Sequence, residues 1–159
     1  MEERSRGRIL ILGVGNILLR DEGVGIHAIR ELDKRPLPPH VDVIDGGTAG
    51  LDLLDLMRGY ERVIIIDAVE AASEPGTIFR FTPDEVTSEA RALPLSLHQT
   101  EVLKVLELAT YLGQPLPPVV IYGIQPESMD WSTELSSALR ASLAKLVDAV
   151  LKEISERGE

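Results

Sequence analysis

RILILGVGNILLRDEGVGIHAIREL, residues 8–32, combines the signals of a strand, a loop and a helix. Residues 9–12 form a continuous apolar run, which is typical of a strand buried on both faces. A glycine-rich segment, residues 13–16, ends the run, and the acidic pair Asp21 and Glu22 follows. From Val24 onward the apolar residues recur every three or four positions, as on one face of a helix. This order predicts a βα unit that carries carboxylates at the carboxyl end of a buried strand, where open α/β sheets bind ligands.

The rest of the chain repeats this alternation. Four further segments are predicted to be strands, namely residues 41–44, 62–66, 77–81 and 119–124. Three further helices are predicted: residues 51–57, residues 96–109 with a capping box at Ser96, and a last helix from residue 132 or 133 to 154. Residues 82–92 are predicted to be a loop. Alternating strands and helices with short connections favour a three-layer α/β/α sandwich with a twisted, mostly parallel, mixed sheet. In this sheet, residues 77–81 are expected to run antiparallel at an edge.

Length and composition indicate one domain over residues 8–157, preceded by a disordered tail at residues 1–7. The chain has 159 residues, a formal charge of −10 and an isoelectric point near 4.8. Nucleic acids and anionic membranes attract basic surfaces, so neither is expected as a partner. Since cysteine is absent, disulfides, thiolate metal sites and cysteine nucleophiles are excluded. No segment has the pattern of a signal peptide or a membrane span, and we expect a cytoplasmic monomer.

Acidic residues follow three of the predicted strands. Glu22, Asp45 and Asp67 should lie at one rim, because parallel strands present their carboxyl ends on the same side of a sheet. His98 can join them, at the second helical position behind the Ser96 cap, where the helix dipole lowers the pKa of an imidazole. Two carboxylates, from Glu22 and Asp67, with one neutral imidazole suit nickel, zinc, manganese or iron and leave positions open for a substrate. Such a set indicates a catalytic metal site rather than a structural one.

Each of these residues also has an ordinary structural interpretation. Glu22 could be an acid in the first turn of a helix, Asp67 a helix cap, and His98 a solvent-facing residue near a cap. The Asp45-Gly46 pair is typical of a turn. The other two histidines, His27 on a polar helix face and His40 in a proline-rich loop, are interpreted as solvated surface residues.

Other chemistries have weaker signals. The glycine loop begins like a dinucleotide fingerprint, but Leu18 stands where the third glycine should be. The chain has neither a phosphate-binding loop with lysine nor the Gly-x-Ser-x-Gly elbow of serine hydrolases. A nucleotide-binding module is therefore disfavoured.

Six short motifs, taken in order, resemble the hydrogenase maturation proteases. They are Gly13-Val14-Gly15-Asn16, Asp21-Glu22-Gly23-Val24-Gly25, Asp45-Gly46-Gly47-Thr48-Ala49-Gly50, Ile66-Asp67-Ala68, His98-Gln99 and Gly123-Ile124-Gln125-Pro126-Glu127. The likeness covers residues 8 to about 150. It implies a mixed-sheet α/β/α sandwich and an endopeptidase that removes a C-terminal extension from the large-subunit precursor of a nickel–iron hydrogenase.

The resemblance also implies roles for individual residues. Glu22, Asp67 and His98 would be the metal-contacting and catalytic residues, and the segment Asp45, Gly46, Gly47 and Thr48 would help to hold the substrate. Nickel would be supplied by the precursor as the signal for cleavage, rather than held by the resting protease. Such enzymes are grouped with aspartic-type peptidases. The alternative function is a non-enzymatic nickel carrier or sensor that uses the same three ligands.

Overall fold

The computed structural model describes residues 7–48, 50–87 and 101–157. Five strands form one sheet in these ranges: β1 (Ile9–Val14), β2 (Val41–Gly47), β3 (Arg62–Ala68), β4 (Ile78–Phe81) and β5 (Val119–Ile124). All five strands were predicted from the sequence, and the sequence pattern placed each of them within a few residues of its observed bounds.

Helical segments follow β1, β2, β4 and β5. They are a 3₁₀ turn (Arg20–Gly23), α1 (Val24–Leu32), α2 (Asp52–Met57), α3 (Pro83–Thr87), α4 (Glu101–Tyr111) and α5 (Ser137–Arg157). None of the helices in the described ranges is both long and apolar enough to cross a membrane. Residues 1–6 of the predicted tail, which was assigned to residues 1–7, lie outside the described residues, as does the capping box from Ser96 to Gln99.

The strand order is β2–β1–β3–β5–β4. The first four strands are parallel, and β4 pairs antiparallel with β5 at one edge, so the predicted mixed sheet is confirmed. The connection through α1 places β2 on one side of β1, whereas β3 lies on its other side. The direction of the chain across the sheet therefore reverses at β1 and β3.

Two apolar cores lie on opposite faces of the sheet. Because side chains of a strand alternate between faces, Leu10 and Leu12 pack with α2 and α4, whereas Ile9 and Ile11 pack with α1 and α5. The continuous apolar runs of the central strands thus fill both cores, as expected for a parallel sheet covered on both sides. The three-layer α/β/α sandwich is confirmed.

A buried carboxylate fixes α5 to the sheet. Glu153, which is 7% exposed, accepts hydrogen bonds from Tyr122 Oη at 2.6 Å, from Arg80 Nε at 2.7 Å and from Arg62 at 3.0 Å. The hydrogen bond from Arg80 is the main cause that lowers the pKa of Glu153 to about 2. Residues of three neighbouring strands are therefore joined to one helix.

Within the predicted loop 82–92, the structure has the short helix α3, so this part of the prediction is wrong. The backbone N–H of Thr82 donates to Glu85 Oε1 at 3.0 Å, and Pro83 stands at the first helical position. Thr82-Pro83-Asp84-Glu85 is thus a capping box followed by a helix-compatible proline, a start signal that the sequence analysis missed. Residues 88–92 lie outside the described ranges.

The last helix begins at Ser137, four or five residues later than predicted. Ser132 is instead bound to the loop after β1, since its N–H donates to Leu18 O and its carbonyl accepts from Arg20 N–H, both at 2.9 Å. Ser136 Oγ then accepts the N–H of Leu139, as an N-cap does. A long-range contact, rather than helix propensity, sets this boundary.

The interpretation of His40 as a solvated residue is wrong. The residue is 6% exposed, and its carbonyl accepts the N–H of Ile9 at the start of β1. His27 is half-buried, and burial is the largest of the causes that lower its pKa. Both imidazoles belong to the packed body of the protein.

Gly25 of α1 lies close against the backbone of the sheet. A Cβ atom at this position would collide with the carbonyl oxygens of Ile66 and Val14, which are backbone atoms that cannot move aside. We expect Gly25→Ala to lower the free energy of unfolding by about 1–3 kcal/mol, the usual cost of overpacking. Denaturant unfolding would measure it. Gly50→Ala is the control, because a Cβ there meets nothing within 4 Å, and an equal loss in both variants would contradict the prediction.

Candidate active site

The candidate site lies where β1 and β3 end side by side. Gly13 of β1 pairs with Ile66 of β3, so Asp67 follows one residue beyond this pair, at the carboxyl end of the sheet. Glu22 comes from the 3₁₀ turn that follows β1. The chain leaves β1 toward β2 on one side of the sheet and leaves β3 toward β4 and β5 on the other. The carboxyl ends of β1 and β3 therefore border a crevice, the usual ligand position in open α/β sheets.

Glycines shape the wall of this crevice. Gly15 has φ +135°, and a Cβ there would collide with the carbonyl oxygen of Glu22. Its N–H donates to Gly47 O at 2.8 Å, which joins the loop after β1 to the end of β2. Gly47 has φ +53°, a left-handed conformation that favours glycine. Glu22 can approach the sheet only because residue 15 lacks a side chain.

The predicted substrate-holding segment divides into two pairs. Gly47 and Thr48 line the cavity at the site. Asp45 instead folds back, since its Oδ1 accepts the N–H of Gly47 at 2.8 Å, and Gly46 is buried against Leu12 and Val14. Asp45 and Gly46 therefore shape the turn that presents the next two residues.

Asp21, the neighbour of Glu22, has a different surrounding. It is fully buried, and its carboxylate accepts four hydrogen bonds of 2.7–3.0 Å, from the backbone N–H groups of Glu127, Ser128 and Ser136 and from Ser136 Oγ. Burial alone would raise the pKa of Asp21, but these donors outweigh it and hold the pKa below its ordinary value. Asp21 thus ties the turn that carries Glu22 to the loop after β5. The acidic pair was apparent in the sequence, but this role of Asp21 was not.

Glu22 and Asp67 line one cavity of about 320 Å³. Its remaining described lining comes from the glycine wall, from apolar side chains and from two further acids: Val14, Gly15, Gly47, Thr48, Gly50, Leu53, Ala68, Glu70, Glu101, Val102, Val105 and Met129. No Lys or Arg occurs among these described lining residues. The cavity is therefore an anionic crevice with an apolar side.

Asp67 is the buried acid of the cavity. The residue is 8% exposed, and its Oδ1 accepts the N–H of Ala68 at 2.8 Å. Burial raises the pKa of Asp67 well above its ordinary value, and the charge of nearby Glu22 raises it further, while the Ala68 hydrogen bond acts in the opposite direction. Asp67 therefore keeps its proton to higher pH than an exposed carboxyl group does, and once it ionises, the two neighbouring carboxylates can hold a cation.

The third predicted ligand, His98, lies outside the described residues. The structure therefore brings together Glu22 and Asp67, while the role of His98 stays a prediction. Within the described ranges, no group of three or more His, Asp or Glu residues could hold a metal ion. Glu22 and Asp67 alone would leave most coordination positions of a metal ion to other ligands.

Gln125 and Glu70 are site residues that the sequence analysis did not assign. The buried Gln125 amide donates from Nε2 to Glu70 Oε2 at 2.9 Å, and its Oε1 accepts the N–H groups of Ala71 and Ser73. Glu70 lines the cavity three residues after Asp67. Its position just beyond the end of β3 was the available signal, because the same strand-end rule that selected Asp67 applies to it.

Fold and site together define an α/β sandwich protein with an acidic ligand cavity at the point where its sheet reverses direction. Comparison with known proteins gives a narrower class. Residues 26–153 match the family model HycI, described as hydrogenase maturation protease. This chain belongs to the hydrogenase maturation protease family, whose members hydrolyse peptide bonds.

Individual relatives agree over nearly the full length. The hydrogenase expression/formation protein HupD of Bradyrhizobium diazoefficiens is 37% identical over 153 residues, which is 95% of this chain and 80% of that protein. The hydrogenase 2 maturation protease of Escherichia coli is 35% identical over 153 residues, which is 95% of this chain and 93% of that protein. The structure of the hydrogenase maturating endopeptidase HybD from E. coli superposes with a TM-score of 0.78 at 34% identity, covering 95% and 94%.

Proposed function

We propose that this protein is an endopeptidase that removes the C-terminal extension from the large-subunit precursor of a nickel–iron hydrogenase. In this proposal, nickel already seated in the precursor is the element that the protease recognises. The observation that carries it is the pairing of Glu22 and Asp67 in one cavity of a hydrogenase maturation protease fold. We also propose that the protein acts as a cytoplasmic monomer.

A cation in the substrate complements this cavity. Glu22 and Asp67 repel each other when both are ionised, and burial adds to the cost of ionising Asp67. A divalent ion removes this cost, because opposite charge favours the ionised form of a carboxylate. Two protein carboxylates supplement the ligands that the precursor already provides, and His98 would be the third protein contact. Precursor without nickel offers no compensation for the paired charges.

The same step prepares the chemistry. When the cation displaces the proton of Asp67, a carboxylate becomes available at the scissile bond to act as a general base. It would take a proton from a water molecule as the water oxygen attacks the peptide carbonyl, and the proton would pass to the leaving amine. With no cysteine in the chain, we group the enzyme with aspartic-type peptidases. Nickel of the substrate would polarise the carbonyl during the attack.

The test is cleavage of a purified precursor prepared with and without nickel, followed by mass measurement of the products. We expect one C-terminal peptide to be released from the nickel-loaded precursor, and at least tenfold slower release from the nickel-free form, since about 1.4 kcal/mol of lost binding already gives that factor. Equal rates for the two forms would overturn recognition through nickel. Nickel uptake by the protein without any cleavage would instead support the carrier function.

A further inference from the structure

We propose that Glu70 is a specificity residue that binds a cationic side chain, Lys or Arg, of the precursor close to the scissile bond. This inference rests on the proposed function. It assigns the same cavity a second contact with the substrate, separate from the contact of Glu22 and Asp67 with nickel.

The carboxylate of Glu70 is fixed in place although its side chain is exposed. Gln125 Nε2 donates to its Oε2 at 2.9 Å, and the N–H of Ala72 donates to the same oxygen at 3.0 Å. Gln125 is itself 4% exposed and is anchored by the N–H groups of Ala71 and Ser73, at 2.7 and 3.2 Å. An exposed glutamate ordinarily samples several rotamers, so an anchored one is pre-organised for a ligand.

The loop that holds Glu70 adopts an unfavourable backbone conformation. Ala72 has φ +52°, and a left-handed conformation is uncommon for a residue with a side chain. It brings the N–H of Ala72 to Glu70, two residues earlier. Gln125 then binds both ends of the turn. The fold therefore maintains a strained turn, and this turn positions the carboxylate of Glu70, which lines the cavity.

Charge determines what this carboxylate can bind. Both hydrogen bonds end on Oε2, and none of the hydrogen bonds among the described residues ends on Oε1. The described lining of the cavity includes four carboxylates and no cationic side chain. Asp67, more than nine-tenths buried, lines the same cavity, so the acidic residues belong to a built site rather than to an open surface.

Glu70 does not act as a further metal ligand in this arrangement. Within the described ranges, no three acidic or histidine side chains lie close enough to share a metal ion, so Glu22, Asp67 and Glu70 do not form one metal site. A single remaining carboxylate binds a free divalent ion weakly but pairs well with an ammonium or guanidinium group. A Lys or Arg side chain of the precursor is therefore the ligand that fits Glu70.

The experiment compares Glu70→Gln with Glu74→Gln on nickel-loaded precursor. Glu74 is exposed in the same loop, so both variants lose the same charge at nearly the same place. We expect Glu70→Gln to raise KM about tenfold with little change in kcat, and to weaken the salt dependence of kcat/KM. Glu74→Gln should stay within about twofold of the wild type, the size of a charge effect outside the contact. Equal KM values for the two variants would overturn the inference.

Precursor variants identify the partner residue. Each Lys or Arg near the cleavage site is changed singly to Gln, and each precursor is tested with the wild type and with Glu70→Gln. For one precursor variant, kcat/KM of the wild-type protease should be about tenfold lower than for the unchanged precursor. The Glu70→Gln protease should cut this variant and the unchanged precursor with the same kcat/KM. If the loss in kcat/KM from each precursor change simply adds to the loss from Glu70→Gln, the inference is overturned. Cleavage of the nickel-loaded precursor would still support the proposed function in that case. A wild-type protein that cuts no nickel-loaded precursor would overturn both.

Discussion

Asp67→Asn should abolish precursor cleavage and at the same time make the free protein more stable near pH 7. The amide keeps the oxygen that accepts the N–H of Ala68, but it can neither ionise nor accept a proton. Loss of a general base typically lowers rates by about 10²–10⁴-fold, and the loss of a nickel contact adds to this. We therefore expect kcat/KM to fall at least about 10³-fold in a mass-resolved cleavage assay.

The gain in stability follows from the raised pKa of Asp67. In the unfolded chain this carboxyl ionises near its ordinary pKa of about 3.9, whereas in the folded protein it keeps its proton to higher pH. Between these two pKa values the native state binds more protons than the unfolded state, so the stability of the wild type falls as pH rises through this window. Asn at position 67 removes that fall. Single stabilising substitutions commonly contribute about 0.5–2 kcal/mol, and we expect a gain of this size.

Paired unfolding curves at several pH values measure this effect. Asp33→Asn is the control for the charge change, because Asp33 is exposed at the end of α1. The difference between wild type and Asp67→Asn should vanish below about pH 4, where both folded and unfolded carboxyl groups are protonated. A variant that is less stable than the wild type at neutral pH, or that still cleaves at the wild-type rate, would remove Asp67 from the role assigned to it.

The sheet and half of the candidate site could be predicted because their signals are local. Buried parallel strands need apolar side chains on both faces, so runs such as residues 62–66 were recognisable without any partner. Parallel strands end on one side of a sheet, and this rule placed Glu22, Asp45 and Asp67 at one rim, of which Glu22 and Asp67 line the cavity. Their common cavity confirms that they are neighbours. Their catalytic roles remain predictions, as does the participation of His98.

What the sequence did not reveal depends on contacts between distant residues. The start of α5 is set by Ser136, whose N–H donates to Asp21, 115 residues earlier in the chain. Periodicity alone extended the helix to residue 132, because nothing local distinguishes residues 132–136 from a helical turn. Likewise, Glu70 is placed by the amide of Gln125, 55 residues later. Side-chain hydrogen bonds across such separations leave no spacing pattern to detect.

Replacement of Asp21 should have the largest effect on stability. Asp21→Asn retains the shape of the side chain, but an amide offers one acceptor oxygen where the carboxylate offers two. In the wild type, Oδ2 accepts three hydrogen bonds and Oδ1 accepts one. The NH₂ group of Asn would therefore face a backbone N–H donor inside the protein. A hydrogen bond to a charged group contributes about 1.5–3 kcal/mol, and an unsatisfied buried donor costs about 1–3 kcal/mol.

We therefore expect Asp21→Asn to lower the free energy of unfolding by about 3 kcal/mol, and Tm by roughly 6–12 °C for a chain of this size. Because the pKa of Asp21 is lowered in the folded protein, its contribution is present above its unfolded pKa of about 3.9 and disappears as pH falls through the lowered value. The free energies of unfolding of Asp21→Asn and the wild type should therefore become equal in acid. At pH 7 the Asp21→Asn variant is the less stable protein, whereas the Asp67→Asn variant is more stable than the wild type at that pH.

Asp130→Asn is the matched control, because Asp130 is exposed on the same loop after β5 and binds only the hydroxyl of Ser128 among the described hydrogen-bond partners. It should change stability by less than about 0.5 kcal/mol, as surface substitutions usually do. Asp21→Asn should also slow cleavage even at temperatures where the variant is fully folded, since Asp21 holds the turn that carries Glu22 against residues 127–136. A variant as stable as Asp130→Asn would show that this carboxylate does not organise the site.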